Sequence, residues 1–401
     1  MRIAWICHFT NEQIQSILKP HKKVSEFAPW ITYTIAVFEN RYDIELHIIS
    51  PHEYISGIKE FKLNGIYYHF FNPYIPIWGR HWPSFFKWDY WTDFKKNKRI
   101  VKRLVEKINP DIIHLQGAEN PYYSSTILQF FGNLPVIVNL QKTSFDMSYG
   151  DSIYAKTRQR IEKEIISKSS YLSVQTKSMF EDITELNPLA KIYYVSFSEL
   201  HLNPIDIEKK YDIVFFARVC PEKGIIDLLK ALQLVKKSIS NVSLYVIGPC
   251  AKNFLEEIKK ISKELEIENN IVWKGYLSTL KDVYLEASKA KISVLPTYYD
   301  IIPGTIIESM QLGLPVVSYK TGSIPELNEE RENVLLVDKG NIEGLANNII
   351  NLLTDKELYK TMRERGIEYT KKIDNNDLVF HQHLECYQKV IEDFYNNKEG
   401  Y

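Results

Sequence analysis

Short runs of apolar and aromatic residues recur along the chain, set apart by longer stretches in which apolar positions return every three or four residues. In the first half the runs are RIAWIC from Arg2, IELHIIS from Ile44, GIYYHFF from Gly65, DIIHLQ from Asp111, PVIVNLQ from Pro135, YLSVQ from Tyr171 and IYYVSF from Ile192. In the second they are DIVFFA from Asp212, SLYVIG from Ser243, NIVWKG from Asn270, KISVLP from Lys291, PVVSY from Pro315 and VLLV from Val334. Nearly all are apolar throughout rather than alternating, as strands covered on both faces must be, so each half predicts a parallel α/β sheet. After Gly224, the positions Ile225, Leu228, Leu229, Leu232, Val235 and Ile239 make one stripe at helical spacing. A tail helix is predicted from Asn375 to about Asn396, with Leu378, His381, Leu384, Tyr387 and Val390 on one side. His201 to Tyr211 is hydrophilic, holds a proline and has no period, and reads as a linker. The expected organisation is an amino-terminal domain over 1–200, a linker over 201–211, a second domain over 212–374 and a closing helical segment over 375–401. Two doubly wound domains predict a ligand in the cleft between them, near the carboxyl ends of strands.

Composition removes several function classes. The chain has 401 residues, enough for two domains with their own cores. Its 50 basic and 50 acidic side chains give a formal net charge of zero, against the basic excess that nucleic-acid binding demands. A hydrophobic share of 45% excludes a disordered chain. No apolar run approaches the ~18 residues of a membrane span, and the opening MRIAWICHF is too short for a signal peptide. Cys7, Cys220, Cys250 and Cys386 form no CxxC pair, which suits neither a disulfide framework nor a zinc site. A soluble protein of the reducing cytoplasm is expected.

Two stretches carry candidate chemistry. In VFFARVCPEKGIIDLLKAL a strand ends near Phe216–Ala217, and Arg218 and Lys223 bracket a short loop before a helix. A planar guanidinium fork and an ammonium at a strand's carboxyl end, beside a helix amino end, suit a diphosphate. Spacing alone also permits two solvated surface cations. In TYYDIIPGTIIESMQLGLPVVSY, Asp300 follows a strand, Pro303-Gly304-Thr305 forms a turn, and Glu308 lies in the first turns of a helix. The N–H groups of Gly304 and Thr305 would face an anion, and carboxylates at 300 and 308 can accept bonds from adjacent sugar hydroxyls. A turn aspartate and a first-turn glutamate favoured by the helix dipole remain the plainer alternative.

Together these stretches resemble the donor-binding domain of family-4 glycosyltransferases, group 1 enzymes of the retaining kind with the GT-B fold. The resemblance implies two Rossmann-like domains facing each other across a cleft, with Arg218 and Lys223 on the donor diphosphate and Glu308 on the nucleotide ribose. It sets Asp300 toward the donor sugar, where the family's E-x7-E element has Glu, and places Ile302, Pro303, Gly304, Thr305 and Gly248 around the donor. VIGPC, VWKGY and GSIPEL follow in the family's order, and the likeness covers 212–355. PDIIHLQGAENPYYS resembles a strand that often reads H-x-H, here with His114 first and Gln116 second. PVIVNLQK ends in Gln141 where many members carry His, and Glu119 and Asn120 stand at the same strand exit as Gln116. These four are candidates for the acceptor or donor-sugar side, although glutamine cannot serve as a base at neutral pH. The tail helix is expected to cross back to the first domain. No DxD motif is present, and the resemblance implies no metal and no cofactor beyond the nucleotide-sugar co-substrate.

A third feature is IPIWGRHWPSFFKWDYWTDFKKNKRIVKRLVEK, residues 75–107, with Trp78, Trp82, Trp88 and Trp91 and, from Arg80 onward, nine cations against three acids. Aromatics followed by a basic helix suit a lipid interface at the inner face of the membrane. Aromatic packing in a folded loop, and stacking on acceptor sugar rings, are the alternatives. The expected activity is transfer of a sugar from a nucleotide diphosphate-sugar to a carbohydrate or lipid-linked acceptor, in bacterial surface polysaccharide synthesis. A nucleotide-sugar epimerase and a non-catalytic nucleotide-sugar-binding protein are the competing readings. Gln116 and Gln141 count against the epimerase, and the departures at 116, 141 and 300 favour the binding protein.

Overall fold

The structure, a computed structural model, describes residues 1–22, 24, 26–74, 88–140, 152–198, 201–373 and 375–399. The chain divides into two compact units, one of Met1–Glu199 with Asn376–Tyr401, the other of Leu200–Asn375.

Unit 1 is built on eight strands: β1 (Arg2–Ile6), β2 (Glu45–Pro51), β3 (Ile58–Leu63), β4 (Ile66–Phe71), β5 (Ile112–Gln116), β6 (Val136–Asn139), β7 (Tyr171–Val174) and β8 (Lys191–Tyr194). Their order is β3-β4-β2-β1-β5-β6-β7-β8. All neighbours run parallel except the β3–β4 hairpin at the edge. That hairpin escapes the hydrophobic pattern because β3 (IKEFKL) lies mostly in solvent, with Ile58, Lys59 and Glu60 all exposed. The Asn64-Gly65 dipeptide was its signal, since two-residue hairpin turns favour that pair.

The helix Asn376–Glu399 belongs to this unit and is stitched into its core. Val379, Phe380, His383, Cys386, Tyr387 and Val390 are buried, whereas Leu378 and His381 are exposed. The apolar face is thus rotated from the one expected, which took in Leu378 and His381 and left out Phe380, His383 and Cys386. Trp5 Nε1 donates to the Tyr387 hydroxyl at 2.9 Å, and that hydroxyl lies 2.7 Å from His114 Nδ1. At the helix start Arg41 pairs with Asp377 at 2.6 Å and stacks over the Phe380 ring.

Unit 2 holds β9 (Tyr211–Phe216), β10 (Leu244–Ile247), β11 (Ile271–Gly275), β12 (Ala290–Leu295), β13 (Val316–Tyr319) and β14 (Leu335–Val337). The sheet is parallel throughout, in the order β11-β10-β9-β12-β13-β14. Alternate residues feed two cores. Ile213 and Phe215 join the larger cluster with Leu228, Leu229, Leu232 and Val235 of the helix Ile225–Ser238, while Val214 and Phe216 join a smaller one with Tyr284 and Leu312. Both faces being covered is the physical reason these strands read as unbroken apolar runs. The stretch 201–211 is not a free connector: Leu202 and Ile205 pack on the smaller cluster, Lys209 Nζ donates to the Ser288 carbonyl at 2.8 Å, and Tyr211 opens β9. Its scattered apolar residues gave no period because each packs separately.

Candidate active site

In unit 2 the chain leaves β9 for β10 on one side while β12 pairs with β9 on the other, so the strand order reverses between β9 and β12. In open α/β sheets the carboxyl ends at such a reversal form the ligand crevice. The two loops that leave these ends are tied together. The Glu222 carbonyl accepts from the Tyr298 N–H at 2.8 Å and from Thr297 Oγ1 at 3.2 Å. Lys223 Nζ forms an ion pair with Asp300 Oδ2, which also accepts from Thr297 Oγ1 at 2.7 Å. Two candidates far apart in sequence are therefore joined at one place.

Glycine makes this approach possible. Gly224 ends the Pro221–Lys223 turn at φ 74°, and a Cβ there would lie 1.9 Å from the Pro296 carbonyl oxygen. Gly322 has φ 52°, and its Cβ would lie 1.7 Å from the Asp300 carbonyl oxygen. A larger residue at either position meets both backbone strain and a carbonyl that cannot move aside. The backbones of Lys223 and Asp300 are thus set by close packing. Arg218, in the same loop as Lys223, is exposed and makes no hydrogen bond or ion pair among the described residues.

Glu308 sits on the helix Gly304–Gln311, which starts after a buried Pro303 that provides no side-chain cap. The first N–H groups of that helix, on Gly304 and Thr305, are left for an anion. Tyr284 donates its hydroxyl to Glu308 Oε1 at 3.0 Å. Burial pushes the Glu308 carboxyl up to about 7, and the Tyr284 bond pulls the other way. Ile302 packs partly buried on the larger core, and Gly248 follows β10 against the Ala217 carbonyl.

Unit 1 has the same reversal between β1 and β5, and a different set of groups at it. His8 follows β1, Gln116 ends β5, and Glu119 and Asn120 come next. Asn120 Nδ2 lies 3.3 Å from His8 Nδ1, while its Oδ1 accepts from the Tyr122 N–H at 3.2 Å and caps the helix Pro121–Ser124. Arg158 Nε donates to the Glu119 carbonyl at 2.8 Å. Burial lowers His8 to about 4, with His52 adding to the shift, and burial raises the Glu119 carboxyl. Gln116 is buried, its Nε2 lies 3.2 Å from His114 Nδ1, and its Oε1 has no partner among the described residues. Gln141 lies outside the described residues, as do Trp78 and Trp82 of the 75–107 stretch.

Sequence reasoning missed His8, Thr297 and Tyr284. His8 stood just past a predicted strand, and Thr297 three residues before Asp300, which were usable signals. Tyr284 gave none, because its contact with Glu308 is made between two helices. Among the described residues, no group of three or more His, Cys, Asp or Glu is placed to hold a metal ion, and no helix is long and apolar enough to cross a membrane.

Known proteins resemble this chain in sequence and in fold. Residues 199–369 match the family described as Glycosyl transferases group 1, a span that includes all the unit 2 candidates. The chain is 24% identical over 326 residues to a poly(glycerol-phosphate) alpha-glucosyltransferase of Bacillus subtilis, covering 78% of this chain and 45% of the relative. It is 28% identical over 145 residues to an uncharacterized glycosyltransferase of Haemophilus influenzae, covering 36% of this chain and 40% of that protein. The chain thus spans less than half the length of these curated relatives. Among solved structures, a sucrose-phosphate synthase from Thermosynechococcus elongatus superimposes with a TM-score of 0.73 at 17% identity, covering 98% of this chain and all of that one. Anabaena HepE in complex with UDP gives 0.67 at 15% identity, covering 97% and 100%. The fold is therefore that of the GT-B glycosyltransferases, with two parallel-sheet α/β domains.

Proposed function

We propose that the chain is a retaining glycosyltransferase of family 4, which moves a sugar from a nucleotide diphosphate-sugar to a hydroxyl of a carbohydrate or lipid-linked acceptor. The observation that carries this reading is the Lys223–Asp300–Thr297 cluster at the β9/β12 reversal, with Arg218 and the uncapped helix start of Gly304 and Thr305 belonging to the same two loops. As the anomeric C–O bond breaks, negative charge grows on the departing diphosphate. Arg218, Lys223 and the helix N–H groups are suited to stabilise that charge without a metal. Asp300, held by Lys223 and Thr297, orients the donor sugar, and Glu308 accepts from the ribose hydroxyls. The new bond joins the acceptor oxygen to the anomeric carbon on the face the diphosphate leaves. The acceptor's proton passes to the diphosphate, so no protein base is required. The acceptor is assigned to unit 1, with His8, Gln116, Glu119 and Asn120.

The relatives' names, a poly(glycerol-phosphate) glucosyltransferase among them, support a place in bacterial surface polymer synthesis. A cytoplasmic enzyme resting on the inner face of the membrane fits the exposed Trp88 and Trp91 beside the helix Lys95–Ile108, whose Lys95, Arg99, Lys102, Arg103 and Lys107 are exposed.

Thermal-shift titration with UDP-glucose, GDP-mannose and ADP-glucose, wild type against Arg218→Ala, tests the reading. One donor should stabilise the wild type by an amount that grows with the logarithm of its concentration over its dissociation constant. Losing a group that meets the developing charge should lower turnover about 10²–10³-fold. An Arg218→Ala protein with unchanged melting temperature and unchanged turnover would refute the assignment.

A further inference from the structure

We propose that Tyr284 is a positioning residue for Glu308: its hydroxyl fixes one carboxylate oxygen and leaves the other for the donor's ribose, so that donor affinity is governed by a single proton on Glu308. This rests on the donor-site reading above and adds to it a residue and a pH dependence.

The geometry supplies the first half. Tyr284 lies on the helix Leu280–Ala287, is 4% exposed, and packs in the smaller core with Phe216, Tyr245, Leu312 and Leu314. A ring clamped on several sides cannot swing, so its hydroxyl is a fixed point. That point is 3.0 Å from Glu308 Oε1, and Tyr284 is the partner that holds this carboxylate. Glu308 makes no ion pair among the described residues, unlike Asp300, which has Lys223 beside it. A partly buried carboxylate with no cation is costly in its charged form. Such a group suits a ligand that brings its own donors, and a pair of vicinal hydroxyls does so.

The second half follows from the charge. The groups acting on Glu308 are its burial, which favours the protonated form, and the Tyr284 hydroxyl, which favours the anion. Burial wins, and the carboxyl titrates near 7. The anion can accept two hydroxyl bonds at its free oxygen; the protonated acid presents one donor there and loses an acceptor. Apparent affinity falls with the fraction of competent protein, so between pH 8 and pH 6 the dissociation constant should rise about tenfold. Below pH 6 it should keep rising about tenfold per pH unit, and above pH 8 it should level off. Binding near pH 7 should also release about half a proton per donor bound. Tyr284→Phe keeps the ring in the core and removes only the hydroxyl. Glu308 then loses the bond that favours its anion, and the midpoint of the affinity profile moves to higher pH.

The experiment is calorimetric titration of UDP-glucose, GDP-mannose and ADP-glucose from pH 5.5 to 8.5 into wild type, Tyr284→Phe and Glu308→Gln. Nucleotide sugars are chosen because their diphosphate diester has no proton to lose in this range. The expected result is a tenfold change in the wild type, an upward midpoint shift in Tyr284→Phe, and a flat profile in Glu308→Gln. A purely structural role for Tyr284 would lower the melting temperature and leave the midpoint in place. That outcome, or a flat wild-type profile, overturns the inference while the donor site stands. If none of the three sugars binds at any pH, the donor reading itself fails, and this inference with it.

Discussion

Replacing Tyr387 by phenylalanine tests how the tail helix is locked into unit 1. Trp5 is fully buried on β1, and its indole N–H ends on the Tyr387 hydroxyl at 2.9 Å. His114 Nδ1 lies 2.7 Å from the same hydroxyl and 3.2 Å from the Gln116 amide nitrogen. Burial holds the His114 imidazole neutral. With two donors facing Nδ1, the ring proton sits on Nε2, and the Tyr387 hydroxyl accepts from Trp5 while donating to His114. Phenylalanine keeps the ring volume and strands the Trp5 N–H, while His114 Nδ1 keeps its Gln116 donor. An orphaned buried donor costs about 1–3 kcal/mol. In a domain of this size each kcal/mol moves the melting temperature by about 2–4 °C, so a drop of several degrees is expected. Differential scanning calorimetry with and without donor separates the units, because the loss should fall on the transition of unit 1 and leave donor stabilisation of unit 2 unchanged. Adding Trp5→Phe removes the stranded N–H, so the double variant should be less destabilised than the sum of the two singles by about 1 kcal/mol. Additive losses, or a Tyr387→Phe protein within about 0.5 kcal/mol of wild type, would show that the shared hydroxyl does not hold the helix.

Gly224→Ala should destabilise unit 2 and abolish donor-induced stabilisation together, since a Cβ 1.9 Å from the Pro296 carbonyl forces apart the loops that carry Lys223 and Asp300; equilibrium denaturation and donor titration read both, and normal donor binding would contradict it. Lys223→Met should reduce turnover about 10²-fold or more and also lower folding stability, because Asp300, whose side chain is 20% exposed, loses its cation and keeps only its Thr297 bond; steady-state assay beside urea denaturation reads both, and unchanged turnover would contradict the role. Trp91→Ala, at a residue 73% exposed, should leave stability unchanged and weaken sedimentation with anionic phosphatidylglycerol vesicles; equal sedimentation of both proteins would remove the membrane reading.

Much of the fold could be read from the chain because its strands are buried on both faces. Thirteen strands answer to the thirteen apolar runs read from the sequence, whereas the edge strand β3 carries charge on a solvated face and gave no such run. The tail helix was visible as a helix, yet its buried face was misjudged, because the core residue His383 looks polar by hydropathy and Cys386, apolar but small, was left out of the stripe. At the candidate site the split is similar. Arg218, Lys223 and Asp300 stood out because each belongs to a loop next to a strand end, and Glu308 and the helix start because they lie on the helix that follows such a loop. Tyr284 meets Glu308 through a contact between two helices, which no local spacing records, whereas Thr297 stands three residues before Asp300 and could have been found.

On the proposed reading one architecture takes two different ligands, and the side chains at each strand reversal give the physical reason. Both reverse strand order beside their first strand, so both offer a crevice at equivalent carboxyl ends. Topology alone therefore cannot say where a diphosphate goes. Charge can. At the unit 2 reversal Arg218 stands exposed and Lys223 is fixed against Asp300, with helix N–H groups beside them. At the unit 1 reversal the described groups are an imidazole held neutral, a glutamine, an asparagine and a carboxyl whose ionisation burial opposes. Arg158, whose guanidinium touches this set among the described residues, is engaged with the Glu119 backbone carbonyl. Placing a diphosphate among those groups would leave its charge unmatched in partly desolvated surroundings, a cost of several kcal/mol. Hydroxyl groups meet no such penalty there. The proposed placing of donor in unit 2 and acceptor hydroxyl in unit 1 is therefore supported by the side chains that each reversal presents.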